Sequence, residues 1–177
     1  VLGGAENGPG HAALIRAGSR VGAWSCGVNA RMANGEIDAF VAKAEACVVY
    51  FTASASRSAA AHALRYDCVA SVLPGLQHSP VRTDAQPEVG PLRDAVAALI
   101  FTSGTTGAPK GVMVTHEGLA LFARVSAASR QLGPQDRSYA FVPMTHIFGL
   151  GTVLMASLHA GAQLVMLPQF DPADLLD

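Results

Sequence analysis

Short apolar runs alternate with stretches of helical periodicity through residues 21–75. The predicted elements are strand 21–28, helix 34–46, strand 47–52, helix 56–67 and strand 68–75. Four apolar residues recur at i, i+3, i+4 and i+7 of the first helix: Ile37, Phe40, Val41 and Ala44. Such spacing gives a helix one apolar face, and Ser56 or Ser58 can cap the second helix. Strands that alternate with helices of this length predict parallel βαβ units.

The second half repeats this alternation after a proline-rich connection at 74–94. Its predicted elements are strand 95–102, strand 111–116, helix 117–132, strand 137–143, helix 149–160, strand 163–168 and a helix that begins at 171. The apolar face of the first of these helices comprises Leu119, Phe122, Ala123, Ser126 and Ala127. Thr115 can cap that helix. We therefore divide the chain into a βαβαβ segment at 1–73, the connection at 74–94 and a second segment at 95–177.

The composition is that of a core-rich globular chain. Half of the residues are apolar, 14% are charged and the formal net charge is −1. Without a basic run, neither nucleic acid nor an anionic membrane surface is an expected partner. The longest apolar stretch, 149–167, is interrupted by His159 and Gln163, and Gly161 stands where a helix would end. We interpret it as a buried helix followed by a buried strand, and we expect no membrane span.

The three cysteines, Cys26, Cys47 and Cys68, form no CxxC pair. No other metal-binding side chain lies near them at ligand spacing, so we expect no metal site and interpret them as parts of successive strand–helix units. An odd number of cysteines fits reduced thiols, and the start of the chain lacks a secretory signal, which together predict a cytoplasmic protein. The chain opens with Val1, which suggests a trimmed start or numbering that begins inside a longer chain.

Residues 100–116, IFTSGTTGAPKGVMVTH, place a loop rich in glycines and hydroxyl groups between two predicted strands. Glycines let a ligand approach the backbone closely, and successive N–H groups can surround an anion. The residues predicted to bind a polyphosphate are Thr102, Ser103, Gly104, Thr105, Thr106, Gly107 and Lys110. The loop is not a G-x-x-x-x-G-K P-loop, because Pro109 occupies the position of the second glycine and a strand follows Lys110. The alternative is a solvated hairpin loop, although such loops need only about two to five residues.

Residues 101–111 resemble the phosphate-binding signature of the adenylate-forming superfamily, an aromatic residue followed by T-S-G-T-[ST]-G-x-P-K-G. The superfamily includes acyl-CoA synthetases, aryl-CoA ligases, peptide-synthetase adenylation domains and luciferases. Its downstream P-x-x-H-x-x-G segment is matched at three positions: Pro143, His146 and Gly149. Thr145 departs from the aromatic residue that is usual in acyl-CoA synthetases, whereas Asn29-x-Arg31 is similar to the upstream segment. The resemblance begins near Gly18, and the first ten residues resemble nothing specific.

The resemblance implies an α/β fold of βαβ units with a mainly parallel sheet, as an incomplete N-terminal AMP-binding domain. It also implies that the parent enzyme uses ATP, Mg²⁺ and coenzyme A. A small carboxylic acid would attack the α-phosphate of ATP, and the thiol of coenzyme A would then accept the acyl group. The catalytic residues implied are Lys110, which would stabilise the leaving pyrophosphate, and His146, which would lie at the acyl pocket. The alternative for His146 is a histidine at the edge of the core.

Several segments of the family have no counterpart in these 177 residues. They are the aromatic-Gly-x-Thr-Glu segment, the ribose-binding Asp, the hinge and the C-terminal domain with its catalytic lysine. We therefore expect a piece that is inactive alone and self-associates through uncovered edges and faces. Two alternatives stay open: an adenylation domain that serves a carrier-protein thiol, and a non-catalytic piece that binds phosphate or a partner. A Y-G-x-T-E-like motif encoded beyond Asp177 would support an enzyme, and a stop codon the non-catalytic piece.

Overall fold

The computed structural model describes residues 1–102 and 110–169. The predicted helix that begins at 171 therefore lies outside the described residues. The strands are β1 (Leu2–Ala5), β2 (Ser25–Asn29), β3 (Val49–Phe51), β4 (Val69–Ala70), β5 (Gln77–His78), β6 (Val96–Thr102), β7 (Lys110–Thr115), β8 (Arg137–Ala140) and β9 (Gln163–Met166). The helices are α1 (Pro9–Arg20), α2 (Asn34–Lys43), α3 (Arg57–Arg65), α4 (His116–Ser129), a π-helix (Phe148–Met155) and α5 (Ala156–Ala160).

Seven strands form the large sheet, in the order β4-β5-β3-β1-β2-β6-β7. Its centre is parallel, because β1 pairs with β2 and β3, and β2 pairs with β6. The antiparallel pairs lie toward its two edges, where β4 and β5 continue from β3 and β7 pairs with β6. The second sheet is the parallel pair β8–β9. The predicted α/β class with a mainly parallel sheet is confirmed.

Two apolar cores cover the large sheet. In the first, strand residues such as Leu2, Val28 and Phe51 pack with Ile37 and Phe40 of α2 and with Ala63 of α3. In the second, residues of β6 pack with α4 and the π-helix, and α1 adds partly buried side chains. Helices therefore pack against several strands at once, as expected for a sheet whose central strands are buried.

The N-terminal strand β1 was not predicted, yet it lies in the middle of the large sheet. Its sequence, LGGA, contains two glycines and carries little β-propensity of its own. Gly4 is needed for packing, because a Cβ atom there would overlap the ring of Phe51 on the neighbouring strand. The helix that follows, α1, starts with Pro9 at its first turn, which is a recognised start position.

The third strand predicted for the first segment, 68–75, is wrong in extent, although its direction agrees: β3 and β4 run parallel, because each pairs antiparallel with β5. Only Val69–Ala70 form β4, which is exposed and pairs antiparallel with β5 at the edge of the sheet. The run ends early because Pro74 and Gly75, with φ of 77° at Gly75, turn the chain back. The predicted connection 74–94 accordingly contains the short strand β5.

Both predicted helix caps are confirmed. The hydroxyl of Ser56 accepts a hydrogen bond from the Ala59 amide at 3.1 Å, and that of Thr115 accepts one from the Gly118 amide at 3.0 Å. Gly161, with φ of 71°, ends α5 in the left-handed conformation, as its position predicted. Among residues 1–102 and 110–169, no helix has the length and apolar character needed to cross a bilayer.

The helix predicted at 149–160 differs from expectation, because its first part is a π-helix. Two glycines permit close approaches there: a Cβ atom on Gly149 would overlap the Pro143 carbonyl, and one on Gly151 would overlap the Phe122 ring. Phe122 is 39% exposed, so it lies at the margin of the face on which it was predicted. The other four residues of that face are buried: Leu119, Ala123, Ser126 and Ala127.

A buried histidine on α1 predicts a loss of stability in mild acid. His11 is 1% exposed, and burial lowers its pKa from 6.5 to about 4. The unfolded chain therefore binds the proton more readily, so stability is full above pH 6.5 and falls as the pH drops toward 4. Urea unfolding should show a free energy about 2 kcal/mol lower at pH 5 than at pH 7.

The matched variants for this measurement are His11→Leu and His159→Gln, the second at an exposed position. His11→Leu should remove most of the dependence between pH 7 and pH 5, whereas His159→Gln should keep it. An unchanged slope in His11→Leu would contradict the assignment to His11.

Candidate active site

The hairpin of β6 and β7 holds both ends of the predicted phosphate loop side by side. Thr102 is paired with Lys110 in the register, and the Thr102 hydroxyl donates to the Lys110 carbonyl oxygen at 3.5 Å. Both residues are exposed. The other predicted phosphate-binding residues lie outside the described residues: Ser103, Gly104, Thr105, Thr106 and Gly107. The hydroxyl of Thr102 and the ammonium group of Lys110 are groups that suit a polyphosphate.

The hairpin also fixes where these two residues lie in the fold. Because β6 runs parallel to β2, Thr102 lies at the carboxyl edge of the large sheet, and Lys110 begins β7 at the same edge. Ligands of open α/β sheets bind outside the carboxyl ends of the strands. The position of the predicted loop therefore agrees with the general location of sites in this fold class.

Phe101, the aromatic residue of the motif, anchors this hairpin. Its ring lies 4.7 Å from that of Phe40 on α2, measured between centroids. Across the hairpin it faces Gly111, where a Cβ atom would lie 3.4 Å from the ring. The aromatic residue and the last glycine of the motif thus have a packing role that the sequence pattern alone does not show.

His146 lies in a tight turn between β8 and the π-helix, and it is exposed. Its amide donates to the Pro143 carbonyl at 3.1 Å, and its Nδ1 accepts from the Phe148 amide at 3.2 Å. The other ring nitrogen, Nε2, therefore carries the proton of the neutral imidazole. Gly149 completes the turn, since a Cβ atom there would lie only 2.8 Å from the Val142 oxygen. The P-x-x-H-x-x-G spacing is thus a compact turn that presents a histidine with a fixed tautomer.

This turn packs against the large sheet near the hairpin of β6 and β7. The Cα atom of Thr145 would lie 3.0 Å from a Cβ atom on Gly27 of β2, so the glycine makes room for it. Ile147 packs against the core around β6 and α4. A groove of about 390 Å³ lies between β7, α4 and the turn that contains His146, and its lining residues are Met113, Val114, Thr115, Gly118, Leu119, Phe122 and Ile147. Apart from Thr115 and Gly118 its lining is hydrophobic.

Sequence reasoning missed a pair of buried polar residues at the same edge, Glu6 and Asn7. They follow β1 and precede α1, and each is 4% exposed. Glu6 is paired with Arg31, whose guanidinium donates to both carboxylate oxygens at 3.0 and 2.9 Å. This hydrogen bonding raises the pKa of Arg31 above its ordinary value. The available signal was two polar residues between an apolar run and Pro9, together with Asn29-x-Arg31.

A sequence profile of the AMP-binding enzyme family matches residues 2–177. The chain belongs to this family. It is 32% identical to 4-coumarate–CoA ligase 1 of Oryza sativa subsp. japonica over 190 aligned positions, which cover 97% of this chain and 34% of that protein. It is 37% identical to the long-chain-fatty-acid–CoA ligase of Bacillus subtilis over 92 positions, which cover 51% of this chain and 16% of that protein. The chain thus spans at most about a third of the length of these family members.

Solved structures of the family agree with the fold. The crystal structure of ATP-bound MatB from Rhodopseudomonas palustris superposes with a TM-score of 0.72 at 27% identity, and the match covers 99% of this chain and 36% of MatB. The described residues include no group of three or more histidine, cysteine, aspartate or glutamate side chains arranged to hold a metal ion.

Proposed function

We propose that the protein containing this chain is an AMP-forming acid–CoA ligase. A carboxylate oxygen of a small carboxylic acid attacks the α-phosphorus of ATP, and pyrophosphate leaves to give an acyl-adenylate. The sulfur of coenzyme A then attacks the acyl carbon, the thiol proton is released, and AMP leaves. The observation that carries the proposal is the hairpin with Thr102 and Lys110 at the carboxyl edge of the sheet, in a member of the AMP-binding enzymes.

We assign the β- and γ-phosphates of ATP to residues 102–110. Negative charge grows on the leaving pyrophosphate during adenylate formation, and a fixed ammonium group stabilises such charge. Lys110 supplies that group, and the Thr102 hydroxyl on the opposite strand would exchange its long bond to the Lys110 carbonyl oxygen for one to a phosphate oxygen. Bound Mg²⁺ would offset further phosphate charge, and we place it on the ATP phosphates.

We assign His146 to the acyl side of the site. Its Nδ1 is occupied by the Phe148 amide, which leaves Nε2–H available as a donor. The groove between Ile147 and Met113 supports an acid with an apolar body. The related ligases are named for 4-coumarate and for long-chain fatty acids, and Thr145 in place of an aromatic residue weakens the case for the latter.

We place the reaction in the cytoplasm. Cys26, Cys47 and Cys68 are free thiols, as expected in a reducing compartment.

Coenzyme A is the thiol that accepts the acyl group in this proposal. Its name also appears in the names of the related ligases.

Pyrophosphate exchange with the intact protein tests the proposal. Incorporation of labelled pyrophosphate into ATP should depend on an added acid, with 4-coumarate and a long-chain fatty acid in the panel. Addition of coenzyme A should then yield the acyl thioester, detected by chromatography and mass. Exchange without thioester would favour a carrier-protein acceptor. An absence of exchange with every acid would favour a non-catalytic protein and overturn the proposal.

A further inference from the structure

The loop between β1 and α1 contains two polar side chains that are almost completely buried. Glu6 and Asn7 are each 4% exposed. Burying a carboxylate or an amide is unfavourable unless its hydrogen bonds are replaced within the protein. Both residues are fully engaged, and most of their partners are distant in the sequence.

Asn7 holds the chain that leads to the His146 turn. Its side-chain nitrogen donates to the carbonyl oxygens of Ala140 at 2.7 Å and Val142 at 2.9 Å. Its side-chain oxygen accepts from the Met144 amide at 2.8 Å. One amide group thus fixes three backbone positions just before His146.

Through Arg31, Glu6 holds the end of β9. Strands β8 and β9 form the second sheet, called the small sheet below. The guanidinium nitrogen that donates to Glu6 at 2.9 Å also donates to the Pro168 carbonyl at 3.0 Å. Pro168 follows β9, whereas Ala140 is the last paired residue of β8 and Val142 follows that strand. The backbone amide of Glu6 donates to the Thr52 hydroxyl at 2.9 Å, which ties the loop to β3.

We propose that Glu6 and Asn7 are positioning residues that fix the small sheet on the large one and thereby set the place of His146. This inference rests on the function proposed above, because it concerns the acyl side of that site. Neither residue needs to touch substrate. Each acts through backbone atoms at the carboxyl ends of β8 and β9, and a shift of about 1 Å in a site can lower a rate by about 100-fold.

The test compares Asn7→Ala with the intact wild-type protein. The rate constant kcat for acid-dependent pyrophosphate exchange should fall at least about 10-fold, and the KM for the acid should rise several-fold. The KM for ATP should stay unchanged, because Asn7 makes no hydrogen bond to β6 or β7 among the described residues. Loss of folded protein alone would lower kcat and leave both KM values unchanged.

A milder variant covers the case in which Asn7→Ala fails to fold. Arg31→Lys keeps the charge facing Glu6 but loses the planar fork that reaches both Glu6 and Pro168. It should raise the KM for the acid about 2- to 5-fold, a smaller increase than in Asn7→Ala. The matched control is Asp38→Asn, which breaks another two-bond pair, Arg65–Asp38, between α2 and α3. The control should leave the KM for the acid unchanged.

Amide hydrogen exchange separates failure of this inference from failure of the proposed function. Peptides covering 140–148 should exchange at least about 10-fold faster in Asn7→Ala or Arg31→Lys than in Asp38→Asn. That result stands even if the wild-type protein activates no acid. Wild-type exchange at 140–148, or the same KM change in Asp38→Asn, would overturn the positioning role.

Discussion

Replacing Lys110 by alanine in the intact protein is expected to slow acyl-adenylate formation by about 10²- to 10³-fold. The reason is electrostatic. Lys110 begins β7 opposite Thr102, and in the proposed mechanism its ammonium group lies where negative charge develops on the leaving pyrophosphate. Binding of the acid should change little, because the acid carries no phosphate. The measurement is the rate of pyrophosphate exchange, with the KM of each substrate determined separately.

The chain offers a well-matched control, because its only other lysine is Lys43 at the end of α2. Lys43→Ala removes the same charge and should leave the exchange rate within about 2-fold of wild type, as for a surface change away from the site. An exchange rate in Lys110→Ala equal to that of Lys43→Ala would remove Lys110 from the mechanism.

The 177 residues expressed alone are expected to give no pyrophosphate exchange above background. By the family resemblance, the adenine-stacking segment, the Mg²⁺-binding Glu and the C-terminal lysine lie outside them. Catalysis needs the reacting groups held together, and that advantage is lost when part of the site is missing. The phosphate hairpin alone should support only weak nucleotide binding.

The same 177 residues should also self-associate. The adjoining elements β7 and α4 expose several large apolar side chains: Val112, Met113, Leu121, Phe122 and Val125. Open strand edges and apolar patches of this kind favour association. Light scattering should give a mass well above 18.2 kDa, and a Val112→Lys, Leu121→Lys variant should shift it toward the monomer. A wild-type monomer that forms acyl-adenylate would contradict both expectations.

Local signals were sufficient for most elements on either side of the phosphate loop. Strands β2, β3, β6 and β7 follow apolar or β-branched runs, and α2, α3 and α4 follow helical periodicity. Ser56 and Thr115 cap helices through contacts three residues away. Such features depend on residues a few positions apart, so they can be predicted from the local sequence.

Two of the errors have one physical origin, which is packing between distant segments. Strand β1 has a weak intrinsic preference, and it forms because β2 and β3 pair with both of its edges. The error at 71–75 is local: these residues resemble the continuation of a strand, but Pro74 and Gly75 form a turn there. The π-helix depends on Pro143 and Phe122 approaching Gly149 and Gly151.

Three features could be predicted without the structure: the α/β class, the motif between Thr102 and Lys110, and the spacing of Pro143, His146 and Gly149. Each depends on a pattern within a short contiguous stretch of the sequence. The hydroxyl, ammonium and imidazole groups in these stretches can be identified without knowing the fold. The role of Asn7 in holding the backbone before His146 is seen only in the folded chain, because its partners lie 133 to 137 residues away. Contacts of that separation arise when sheets and helices pack, and no local pattern encodes them.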